Sequence, residues 1–148
     1  MDKEGGNTLN RKQIILYYKT NRLIKGHKAV IISLKKNIGK IYLDGQADFI
    51  MSLGKENLYF QRLSFFSKNL IPSKDFTLSL NRIKSYHLKK INMAFSCLTF
   101  YTFEKYFIQI YFCTGTPDTY DGEMNIKGII KALTELGVKE YEYEEKNS

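Results

Sequence analysis

Cysteine and histidine are scarce in this chain of 148 residues: Cys97, Cys113, His27 and His87 are all it has. A structural zinc site takes about four ligands at close spacing, so four scattered residues make none. No cofactor and no metal are expected. Both cysteines lie in apolar, strand-like stretches, FSCLTF and IYFCTG, and read as small buried hydrophobes rather than as a disulfide. Long apolar runs are also missing. Hydrophobic residues make up 43% of the chain, enough for a core, yet no run approaches the ~20 residues of a membrane span. Met1 to Gly6 lead into no apolar segment of the kind a signal peptide carries. The expected location is the cytoplasm, with peripheral contact to a membrane as the alternative.

Catalytic signatures are absent too: the sequence holds no G-x-S-x-G, P-loop, H-E-x-x-H or G-x-G-x-x-G. His87, in YHLKK, reads as a structural or surface histidine on a strand, and His27, in KGHKA, as a turn residue. Asp118, Asp121 and Glu123 gather before the last apolar segment. Paired carboxylates can do acid–base work or bind calcium, but at a helix start capping explains them more simply. The chain is read as a non-enzyme.

Acidic residues are nearly missing from the first quarter. Residues 1–40 hold ten Lys and Arg against Asp2 and Glu4, while the rest of the chain holds thirteen of each sign. The whole net charge of +8 therefore belongs to that quarter. It is either a solvated, lysine-rich face or an attractor for lipid headgroups, nucleic acid or an acidic protein surface.

What is present reads as strands first and a helix last. KAVIISLKK (28–36), GKIYLDG (39–45) and ADFIMSLG (47–54) are β-textured runs punctuated by Gly39, Gly45 and Gly54. DFTLSLNRIKSYHLKK (75–90) alternates through Phe76, Leu78 and Leu80, with Ile83 following. MAFSCLTFYTF and KYFIQIYF are joined so briefly, at Glu104–Lys105, that they make a hairpin. EMNIKGIIKALTELG (123–137) places Ile126, Ile129, Ile130, Leu133 and Leu136 on one helical stripe, with Gly137 to end it. In RKQIILYYKTNRLIK the apolar residues Ile14 to Tyr18 surround a helix axis, so a short helix and a buried strand both stay open.

One stretch, ENLYFQ (56–61), resembles the recognition sequence of tobacco etch virus protease. It has two readings. An inserted cleavage site would occupy an exposed loop. A native strand accounts for the same letters, because Leu58 and Phe60 alternate with Tyr59 and Gln61. Leu63 and Phe65 break that parity, which predicts a bulge or twist near Gln61–Arg62.

About seven strands followed by one amphipathic helix is an uncommon order. Together with the DFTLSLNRIKSYHLKK and CLTFYTFEKYFIQIYF stretches, it resembles the pleckstrin-homology-like superfold of GRAM and bacterial PH domains. The resemblance implies a mostly β fold: a PH-like barrel of about seven antiparallel strands capped by one C-terminal helix. It divides the chain into a basic N-terminal segment (1–27), the PH-like domain (28–138) and an acidic polar tail (139–148). Lipid-binding members carry a basic motif on the first hairpin. Lys35, Lys36 and Lys40 in LKKNIGKIYL stand near that place, but the closing Arg is absent, and Lys does not replace its bidentate phosphate contact. The expected role is therefore a binding module for a protein partner or for a second copy of itself. The alternative is an anionic membrane surface, met through the basic N-terminal region and the 35–40 loop. Nucleic acid is disfavoured, because aromatics at alternating positions are needed for the core.

Overall fold

The computed structural model describes residues 11–36, 47–64, 68–104, 106–114 and 122–141. The expected strand over 39–45 lies outside them, as do Lys40, Asp118 and Asp121.

Strand β1 (His27–Lys36) shows how one segment serves two layers. Successive side chains of a strand point to opposite faces. Val30, Ile32 and Leu34 enter the main core, whereas Ala29 and Ile31 enter a second, smaller cluster on the other face. Strands β2 (Ala47–Leu53) and β3 (Asn57–Arg62) repeat this division. Phe49, Met51, Leu58 and Phe60 face the main core, and Ile50 faces the second cluster. What covers that second face is helix α1 (Arg11–Thr20), which settles the open helix-or-strand question. Its Ile14, Ile15 and Tyr18 are buried against the sheet, while Leu16 and Tyr17 are exposed.

The expected bulge near Gln61–Arg62 is not there. The β2–β3 register runs unbroken from Leu53↔Leu58 to Phe49↔Arg62. The parity change has another cause: Gln61 and Leu63 are buried on the α1 side, Leu63 inside the second cluster.

The chain continues through a short 3-10 turn (Pro72–Lys74), β4 (Phe76–Ser79) and a second 3-10 turn (Leu80–Arg82) into β5 (Ile83–Lys90). Ile83 opens that strand. Strands β6 (Phe95–Thr102) and β7 (Phe107–Cys113) form the expected hairpin, in register from Tyr101↔Phe107 to Phe95↔Cys113. In β7 the alternation is clean: Ile108, Ile110 and Phe112 face the core, and Gln109 and Tyr111 are only half-buried. In β6, Leu98 and Phe100 face the core, but the small Cys97 and Thr99 on the opposite face are buried as well.

Helix α2 (Gly122–Glu135) closes the main core with Ile126, Ile129 and Leu133, and with the half-buried Ile130. It ends in a Schellman turn. Gly137 is left-handed at φ +96, and the amides of Gly137 and Val138 donate to the carbonyls of Thr134 and Leu133, each at 3.0 Å. Leu136, counted in the apolar stripe, falls in this turn and is exposed. Val138 takes the buried place instead. The next two residues, from the stretch read as a tail, form β8 (Lys139–Glu140), parallel to β5 at Ser85 and Tyr86.

The fold is thus mostly β, with a C-terminal helix. Among the described residues the sheet has eight strands in the order β4-β3-β2-β1-β7-β6-β5-β8. Neighbours are antiparallel except β5 and β8.

Candidate binding surfaces

The sequence nominated Lys35, Lys36 and Lys40. The first two end β1, where the β1–β7 register shifts between Leu34 and Lys36; Lys40 lies outside the described residues. Other cations of the basic excess are tied down or spread out. Lys25 approaches Asp75 at 3.8 Å. Lys19, His27 and Lys28 border a cleft of about 420 Å³ between α1, the start of β1 and Asn125 of α2. Lys28 is left-handed at φ 55, and its aliphatic stem lies over Gly128, where an added Cβ would come within 2.7 Å of it. The Asn125 side-chain amide donates to the Ala29 carbonyl at 3.1 Å and pins this corner.

A larger cleft, about 550 Å³, opens where the chain turns from β4 to β5. Its floor is apolar: Leu80, Ile83 and Val138. Lys55, Glu56 and Lys84 stand around it. Two large apolar side chains at its rim face water, Phe103 at 63% exposure and Leu136 at 62%. The corner is held rigidly. The Leu80 amide donates to the Glu56 carbonyl at 2.9 Å, and the Phe103 amide to the Arg82 carbonyl at 3.1 Å. Arg82 in turn meets the Glu104 carboxylate at 3.2 Å. That carboxylate titrates below its usual range, first through its own backbone amide and then through Arg82.

Beside this cleft runs the edge of β5. Its backbone pairs with β8 at Ser85 and Tyr86 alone, with the Tyr141 amide donating to the Tyr86 carbonyl at 2.6 Å. From Leu88 to Lys90 no further strand lies alongside among the described residues. An exposed edge offers main-chain donors and acceptors to an extended segment.

Among the described residues, those weighed for catalysis are not brought together. His27 begins β1, His87 lies on β5 opposite Thr99, and Glu123 is exposed in the first turn of α2. Among the described residues no group of three His, Cys, Asp or Glu is placed to hold a metal ion. No helix described is long and apolar enough to cross a membrane. Sequence reasoning missed Phe103 and Leu136 as surface residues. Phe103 looked like the last residue of a strand and Leu136 like the last of a stripe; only the turns that follow expose them.

Gln61, the last residue of ENLYFQ, has a structural task. It is 3% exposed; its carbonyl oxygen accepts the Lys25 amide at 3.0 Å, and its side-chain amide donates to the Leu23 carbonyl at 2.9 Å. It thereby ties the α1–β1 connection to β3. The whole strand Asn57–Arg62 is flanked by β2, with β4 pairing from Asn57 to Phe60.

No family model matches the chain, and no curated protein matches it. Among solved structures it is similar to one described as the hSac2 domain from human phosphoinositide phosphatase Sac2, with 12% identity and a TM-score of 0.47 over 93% of this chain and 94% of that one. At that level the likeness assigns neither family nor activity.

Proposed function

We propose that the protein is a non-enzymatic binding module of the pleckstrin-homology-like kind, a barrel closed at one end by α2. It acts through contact with a protein partner or with a second copy of itself. The observation that carries this reading is the β4–β5 corner. There an apolar-floored cleft and two exposed apolar side chains lie side by side, and β5 leads from them, past its short pairing with β8, to an edge no described strand covers. Such a corner suits an extended segment: main-chain pairing along β5 gives affinity, and the cleft takes a side chain. The nearly continuous antiparallel order from β4 to β5, with α2 over the core, supports the barrel.

The test is a double variant, Phe103→Glu with Leu136→Glu. Both side chains are exposed, so the thermal midpoint should hold. Self-association by sedimentation, or binding to a partner first captured and then purified, should weaken about tenfold or more, as expected for a central apolar anchor. Equal binding by the double variant would remove the corner from the interface.

A further inference from the structure

The opposite end of β5 carries a different surface. The β5–β6 turn exposes Ile91 at 45%, Met93 at 85% and Phe95 at 40%, with Lys89 and Lys90 exposed just behind them. Scattered surface apolar residues are ordinary, but three within five positions of one turn make a patch. The turn is also well fixed. The Asn92 side-chain oxygen accepts the amides of Ala94 and Phe95 at 2.8 and 2.9 Å. The Ile91 amide donates to the Phe95 carbonyl at 3.0 Å, and the Thr114 amide, just past β7, donates to the Ala94 carbonyl at 2.8 Å. A turn held at four backbone amides presents its apolar side chains without ordering cost at the moment of contact.

From these features we infer that the β5–β6 turn is a membrane-docking tip whose ligand is an anionic lipid surface. Charge chooses this occupant over a protein. The hairpin that bears the tip has one sign: from Ile83 to Phe103 the chain has Lys84, Lys89 and Lys90 and no carboxylate. Apolar side chains at the apex with cations one step behind match the order of layers in a bilayer, acyl boundary first and anionic headgroups next. This site is separate from the β4–β5 corner. β5 has eight residues, so at about 3.3 Å per residue the corner stands roughly 20 Å or more from the tip. A docked molecule keeps that cleft free for a partner.

The chain contains no tryptophan, so Met93→Trp places a single indole at the apex. With phosphatidylserine-containing vesicles at low salt its emission should shift to the blue and be quenched by brominated lipid. The response should fade as salt rises, because exposed charges are screened over about 8–10 Å at physiological ionic strength. In the otherwise native chain, Ile91→Ser with Met93→Ser should weaken cosedimentation with these vesicles about tenfold or more. Lys89→Glu with Lys90→Glu should abolish the preference for anionic over neutral vesicles. An unchanged thermal midpoint verifies that these exposed substitutions leave the fold intact. The inference is overturned by any of three results: no vesicle binding at low salt, binding that survives both double variants, or a blue shift that follows protein concentration without lipid. The last would make the tip an interface between copies. Binding that is lost on reversing Lys35, Lys36 and Lys40 to Glu yet kept in the tip variants would assign the lipid contact to the first hairpin instead.

Discussion

The two halves of the sheet bury apolar residues by different rules. In β1–β3 both faces are covered, by the main core on one side and α1 on the other, so residues of both parities are buried. In β6 and β7 the large apolar side chains Leu98, Phe100, Ile108, Ile110 and Phe112 all lie on the inner face; the outer face buries only the small Cys97 and Thr99 of β6, and no helix lies on it among the described residues. One sheet thus writes two textures into the sequence: continuous apolar runs where it is covered twice, and alternation where it is covered once. The lesson is that a break in alternation can report a second layer rather than a defect in the strand.

The largest effect that tests this comparison is proteolytic. A protease of the kind that reads ENLYFQ binds an extended substrate through main-chain hydrogen bonds. In the folded chain those groups are engaged with β2 and β4, and Gln61 is buried beneath the α1–β1 connection. Tobacco etch virus protease should leave the native protein intact over hours in which a denatured sample or a peptide spanning 54–66 is cut. Cleavage then requires opening, and its rate follows the open population. Rapid cutting of folded protein between Gln61 and Arg62 would mean that β3 is not held from both sides.

Core truncation comes next. Leu133→Ala, on the inner face of α2, and Ile50→Ala, under α1, should each cost about 2–5 kcal/mol by denaturant titration, since both side chains are fully buried. Lys127→Ala and Lys131→Ala, exposed on α2, should stay within about ±0.5 kcal/mol. A small loss at Ile50 beside a large one at Leu133 would show that the second layer contributes little.

Gln61→Ala is smaller and more local. It leaves the Lys25 amide and the Leu23 carbonyl without their partner, at about 1–3 kcal/mol. Hydrogen exchange should quicken at Lys25 before it quickens in β6. Uniform quickening would mean that the layers open together.

The smallest effect is alkaline. The Tyr18 hydroxyl donates to the Lys68 carbonyl at 2.6 Å, and burial, reinforced by Tyr17, pushes its pKa above the ordinary value of 10.0. The folded state therefore favours the neutral phenol. Stability from this group is complete below the unfolded pKa and is lost as pH rises from there through the folded one. Tyr18→Phe should flatten the decline in stability above about pH 10, read as thermal midpoint against pH. An unaltered slope would place the titrating group elsewhere, Tyr111 being the other tyrosine that burial raises.

Legibility in the sequence followed the same division. The β6–β7 hairpin and the α2 stripe were readable because each puts its large apolar side chains on one face, and one face leaves a clear period. Helix α1 was not readable: its buried Ile14, Ile15 and Tyr18 are interrupted by exposed Leu16 and Tyr17, so its apolar residues surround the axis. The second layer was visible only as lost parity after Gln61, and a bulge explained that equally well. The lysines nominated on the first hairpin rested on a family pattern rather than on burial. The β4–β5 corner left no periodic signal, because turns expose Phe103 and Leu136.

The helix ends carry a further consequence. α1 stops in the same hydrogen-bonded turn as α2, with the amides of Arg22 and Leu23 donating to the carbonyls of Lys19 and Tyr18. But its left-handed residue is Arg22, at φ 58, where α2 uses glycine; a side chain there costs about 1–2 kcal/mol. α1 is thus the less self-sufficient helix, and it rests on a face that the sheet separates from the main core. The molecule has the makings of two melting units. Opening of the N-terminal layer by itself would bare Ile31, Ile50 and Leu63 to water while the inner core stayed covered.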